Sequence, residues 1–81
     1  MDEFDPGKEK LVILVRGLDP LVECVIPSRP TGAVFRVGLG KGNFKKYLSL
    51  SEDDLLDLSE DSGAEAKIRK IVEPLIKELN S

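Results

Sequence analysis

Near the C-terminus, Ile68, Ile71, Val72, Leu75, Ile76 and Leu79 recur at i, i+3, i+4, i+7, i+8 and i+11. That spacing draws one apolar stripe along a helix over residues 64–79, and the stripe requires a surface to cover it. Pro74 lies off the stripe; it removes one backbone hydrogen bond and is expected to bend the helix.

The upstream segments that can supply such a surface show a different period. Residues 10–16 contain the unbroken run Leu11-Val12-Ile13-Leu14-Val15, which reads as a strand covered on both faces. Gly17-Leu18-Asp19-Pro20 turns the chain, residues 21–26 form a second strand, and Pro27-Ser28-Arg29-Pro30-Thr31-Gly32 ends it. Residues 33–39 make a third strand, with Ala33, Phe35, Val37 and Leu39 on one face and Val34 and Arg36 on the other. Gly40-Lys41-Gly42-Asn43 reads as a hairpin loop into a fourth strand, 44–50. There Phe44, Lys46, Leu48 and Leu50 face one way and Lys45, Tyr47 and Ser49 the other.

Ser51-Glu52-Asp53-Asp54 opens a short helix: Ser51 caps it, and three acids sit at the positive end of its dipole. Ser59-Glu60-Asp61-Ser62-Gly63 separates it from the last helix, with Ser59 or Ser62 as the next cap. The expected fold is α+β: a four-stranded antiparallel sheet, then a short helix and a longer C-terminal helix packed on one face. Residues 1–9 are expected to form a flexible lead-in, onto which Phe4 adds a docking side chain, and residues 10–81 a single domain. The passage Tyr47-Leu48-Ser49-Leu50-Ser51-Glu52-Asp53, a strand running into a helix, resembles the coactivator-type single-stranded-DNA-binding fold. The break at residues 59–63 departs from that pattern, and no residue role is carried over from it.

Composition narrows the chemistry. The 81-residue chain has no His and no Trp and a single cysteine. Without His there is no Ser–His or Cys–His pair and no imidazole metal ligand. One cysteine forms no internal disulfide, which favours a reducing, cytoplasmic setting. The acidic start, Met1-Asp2-Glu3-Phe4-Asp5, is unlike a signal peptide, and the longest apolar run, 11–15, is far too short to span a membrane.

Three motifs invite chemistry and do not carry it. Gly38-Leu39-Gly40-Lys41-Gly42-Asn43 is glycine-rich, but it returns to a strand, whereas a phosphate loop leads into a helix. The six carboxylates between residues 52 and 61 lack the spacing of a calcium loop. Cys24 shares a strand face with Val22 and Ile26 and reads as a buried apolar side chain with no base to activate it. No catalytic residue, metal site or cofactor is expected, and the chain is not read as an enzyme.

The faces of the expected sheet carry the functional reading. One face, with Leu11, Ile13, Val15, Val22, Cys24, Ile26, Phe35, Val37, Leu39, Phe44, Leu48 and Leu50, matches the helix stripe and forms the core. The other holds Val12, Leu14, Leu21, Val25 and Val34, rimmed by Arg16, Glu23, Arg36, Lys45 and Tyr47. An aliphatic centre with an Arg- and Tyr-containing rim suits protein contact. The expected function is therefore a small non-catalytic binding or regulatory module. It would meet a protein partner, or itself as a homodimer, through Val12, Leu14, Val25, Val34, Arg36, Lys45 and Tyr47. The alternative is a nucleic-acid-binding module using Arg36, Lys41, Lys45 and Tyr47 on the basic hairpin. Net charge is −3, with eight basic against six acidic residues in 1–50 and four against nine in 51–81, so any phosphate affinity would have to be local. No membrane partner is expected.

Overall fold

A computed structural model describes residues 3–80, apart from the side chain of Ser62. The element order is α1 (Asp5–Leu18), β1 (Glu23–Val25), β2 (Val34–Lys41), β3 (Phe44–Ser51), α2 (Glu52–Glu60) and α3 (Ser62–Leu79). The fold is α+β, with one antiparallel sheet in the order β1-β2-β3. Among the described residues three strands are present rather than the four expected, because the segment expected as the first strand is the helix α1.

The run 11–15 gives no alternation, and a longer window shows why it coils. Leu11, Leu14, Val15 and Leu18 lie at i, i+3, i+4 and i+7; the first three are buried and Leu18 packs against the core. Ile13, placed in the core by strand parity, is 69% exposed, and Leu14, placed on the outer face, is in the core. Pro6 lies in the first turn, where a missing N–H costs nothing, so Asp5-Pro6-Gly7 starts a helix rather than a turn. The helix thus begins inside the expected lead-in; Met1 and Asp2, at the start of that lead-in, lie outside the described residues. Phe4 is buried, edge-on to Phe35 with ring centroids 5.0 Å apart.

Gly7 is where α1 crosses α2. A Cβ built on it would lie 2.1 Å from the Leu55 carbonyl oxygen, so only glycine lets the two backbones come this close.

Strand β2 pairs with β1 through Glu23↔Gly40, Cys24↔Leu39 and Val25↔Gly38. It pairs with β3 from Val34↔Ser51 through to Lys41↔Phe44. The hairpin loop is therefore the two residues Gly42-Asn43, tighter than the four-residue loop expected, with Gly42 at φ +61° as such a turn requires. A second tight turn, Thr31-Gly32-Ala33-Val34, precedes β2; Gly32 and Ala33 both have positive φ, and reciprocal backbone hydrogen bonds join Thr31 and Val34. Ala33 is consequently a turn residue and not the start of a strand.

Phe35, Val37, Leu39, Leu48 and Leu50 point inward and are buried against Leu55, Leu58, Ile68, Val72, Ile76 and Leu79. Phe44 has the same parity but is 63% exposed, at the end of the sheet. Ser51 caps α2 by accepting from the Asp54 N–H. Asp61 caps α3 by accepting from the Gly63 N–H, while Ser59 lies inside α2 and donates to the Leu56 carbonyl. The helix α3 runs through Pro74, which is exposed, and Ile71 lies at the rim of its stripe.

One polar junction closes the core at the hairpin end. The Asp19 carboxylate, just past α1, accepts from Lys41 Nζ at 2.9 Å, from Asn80 Nδ2 at 3.0 Å and from the Leu21 N–H at 3.0 Å. Lys41 Nζ also donates to Asn80 Oδ1. The hydrogen bond from Asn80, then those from Lys41 and Leu21, hold the Asp19 carboxyl down at about 2, below its usual 3.8. A depressed carboxyl stabilises the fold above its ordinary pKa, and that contribution is lost as pH falls from about 4 through 2. Asp19→Asn is expected to lower the melting temperature at pH 7, and thermal melts from pH 5 to 2 should show the gap from wild type closing toward pH 2.

Candidate functional site

The face of the sheet turned away from the helices is built by strand parity. Val34, Arg36, Gly38 and Gly40 on β2 point to it, as do Glu23 and Val25 on β1 and Lys45, Tyr47 and Ser49 on β3. In register, Val25–Gly38–Tyr47 form one row across the sheet and Glu23–Gly40–Lys45 the next. Arg36 follows along β2, opposite Ser49.

Two glycines on the central strand put no side chains of their own on its outer side, and a shallow trough of about 310 Å³ lies there. Gly38 and Gly40 form its floor, Val25 and Glu23 one wall, and Tyr47 and Lys45 the other. The Tyr47 ring leans over Gly38: a Cβ there would lie 3.3 Å from Tyr47 Cε1. The Arg36 guanidinium stands over the same ring, 5.3 Å from its centroid. Val25 is 58% and Tyr47 56% exposed, so the aliphatic and aromatic walls meet solvent. Among the described residues neither Arg36 nor Lys45 is in an ion pair.

The residues expected to share one interface do not all meet here. Val25, Arg36, Lys45 and Tyr47 line the trough, and Val34, half-buried, stands beyond Arg36 on the same side of β2. Val12 and Leu14, expected on the outer sheet face, belong to α1 instead. Val12 lines a separate hollow with Arg16, Leu21 and Cys24, and Leu14 is in the core. Helical geometry turns successive side chains by about 100° rather than 180°, so the two never share a sheet face with Val25.

The expected nucleic-acid set is also divided. Lys41 has the parity of Phe35, Val37 and Leu39, points to the helix side and is held by Asp19 and Asn80. Lys46 points the same way, toward Glu78 at 3.7 Å. Two cations remain on the outer face, with Glu23 on the opposite wall. Sequence reasoning missed Gly38 and Gly40 as site residues, with the first left inside the third strand and the second in the hairpin loop; their even spacing with Arg36 along a strand was the available signal.

Cys24 is half-buried under β1, opposite Leu39, and burial raises its thiol to about 11. At pH 8 it should react with a disulfide reagent roughly tenfold more slowly than an ordinary thiol: two pKa units cut the thiolate about 100-fold, and the greater nucleophilicity of the more basic thiolate offsets about a factor of ten. Comparison with the urea-unfolded chain checks this. Among the described residues, no group of three or more Cys, Asp or Glu side chains is arranged to hold a metal ion, and no helix is long and apolar enough to cross a membrane.

Compared with known proteins, the chain matches no family model, no curated protein and no solved structure. The geometry of the outer face is therefore the ground on which function is argued.

Proposed function

We propose that this chain is a small non-catalytic binding module that acts by protein–protein contact through the outer face of its sheet. The observation that supports this is a sheet face that no described element covers, where Val25 and Tyr47 stand more than half exposed beside two glycines of the central strand. Exposed aromatic and aliphatic side chains beside an arginine are the composition that protein interfaces favour. The nucleic-acid reading is weaker, since two cations and one aromatic offer few phosphate contacts and a shallow stack.

The test is photo-crosslinking in the native cell, with benzoylphenylalanine at position 47 and, as control, at position 73, an exposed site on α3. The reading expects a protein adduct from position 47 alone. Nucleic-acid adducts from position 47, or the same products from both positions, would overturn it. In vitro, a mixed single-stranded oligonucleotide should leave the amide spectrum unchanged at moderate salt.

A further inference from the structure

Three occupants suit an uncovered sheet face in general: a second copy, a nucleic acid and an extended peptide. The dimensions decide against the first. With strands about 4.8 Å apart and about 3.3 Å of rise per residue, three strands offer roughly 14 Å by 26 Å at most. That planar footprint, under about 400 Å², is small for the roughly 800 Å² of accessible surface per partner that a stable interface of two folded proteins buries. It does match one extended segment of about eight residues.

The floor and the charges say what segment fits. Gly38 and Gly40 put no side chain of their own on the outer side of β2; the Tyr47 ring leans over the first and the Lys45 stem over the second, so an incoming chain would lie against these two and beside Val25. A chain running along β2 would set an aliphatic side chain between Val25 and Tyr47. It would then meet Arg36 at one end of the trough and Lys45 on one wall, neither in an ion pair among the described residues. Glu23, on the other wall, opposes a second acid there.

We infer that the outer-face trough binds an extended peptide in which an aliphatic residue is followed or preceded closely by an acidic side chain, the acid pairing with Arg36 at its end of the trough. This rests on the protein-contact reading above and names its partner class.

The test pans a library of random dodecamers against the full chain and remakes enriched sequences with acetylated and amidated ends, so that only side chains carry charge. The expected consensus places Asp or Glu within three residues of Leu, Ile or Val. Binding should shift the amides of Gly38, Gly40 and Tyr47. It should weaken at least tenfold on Arg36→Glu, and a Lys-for-acid peptide should prefer that variant to wild type. Gly38→Val, which fills the trough, should abolish binding, and the outward-facing Arg36→Glu keeps the test decisive if Gly38→Val fails to fold. No enriched sequence, a basic consensus, or equal binding to Arg36→Glu overturns the inference. A micromolar dimer broken by Tyr47→Lys overturns it and leaves the protein-contact reading standing; peptide shifts confined to the hollow around Val12 and Leu21 overturn both.

Discussion

Phe35→Ala is expected to cost about 3–5 kcal/mol, the range for emptying a large aromatic site in a close-packed core. Phe35 is fully buried and carries the Phe4 ring on its edge and Lys8 Nζ 5.4 Å from its centroid. A domain of this size has roughly 4–12 kcal/mol in total, so the loss approaches the whole in a marginal case. Each kcal/mol moves the melting temperature of so small a domain by about 4–8 °C, which puts the expected drop at roughly 12–40 °C. Urea and thermal melts of the variant measure it. A drop under a few degrees would mean that the β2–α1 contact does not form as described.

Gly7→Ala is expected to destabilise the fold, although it places a better helix former in a helix. The added methyl would lie 2.1 Å from a backbone oxygen of α2, and a backbone cannot rotate away as a side chain does. Helices α1 and α2 must separate, with an overpacking cost near the upper end of about 1–3 kcal/mol; the propensity gain of at most about 1 kcal/mol offsets only part of it. Gly17→Ala is the control. It lies on the same helix with open space around it and should be neutral or slightly stabilising. If the two behaved alike, the crossing of α1 over Leu55 would be wrong.

These two residues also show what was legible in the sequence and what was not. The β2–β3 hairpin and the helices α2 and α3 follow from local signals: alternation through Phe35–Leu39, an N-cap serine ahead of three acids, and an apolar stripe at helical spacing. The helix α1 did not, because five consecutive aliphatics fit either period and their β-branching favours a strand. What decides it is tertiary: Gly7 against Leu55, and Leu11, Leu14 and Val15 closing over the core. The site divides along the same line. Arg36, Lys45 and Tyr47 share a face by strand parity alone, whereas Val12 and Leu14 lose their places with the strand that carried them. Lys41 was misplaced because the β2–β3 pairing runs two residues further than the glycines suggested, which puts it on the helix side with Asp19 and Asn80.

Among the described residues the three helices lie on one side of a small sheet, and the other side presents a glycine-bearing central strand between an aliphatic and an aromatic wall. The most direct test of this account is solvent paramagnetic relaxation of the free chain, read with a neutral gadolinium chelate on side-chain protons. It predicts strong broadening of the Val25 methyls and the Tyr47 ring, with the Val37 methyls silent behind the sheet, at every protein concentration. Val25 and Tyr47 signals as protected as those of Val37 would mean that the outer face is already covered, and would contradict the account.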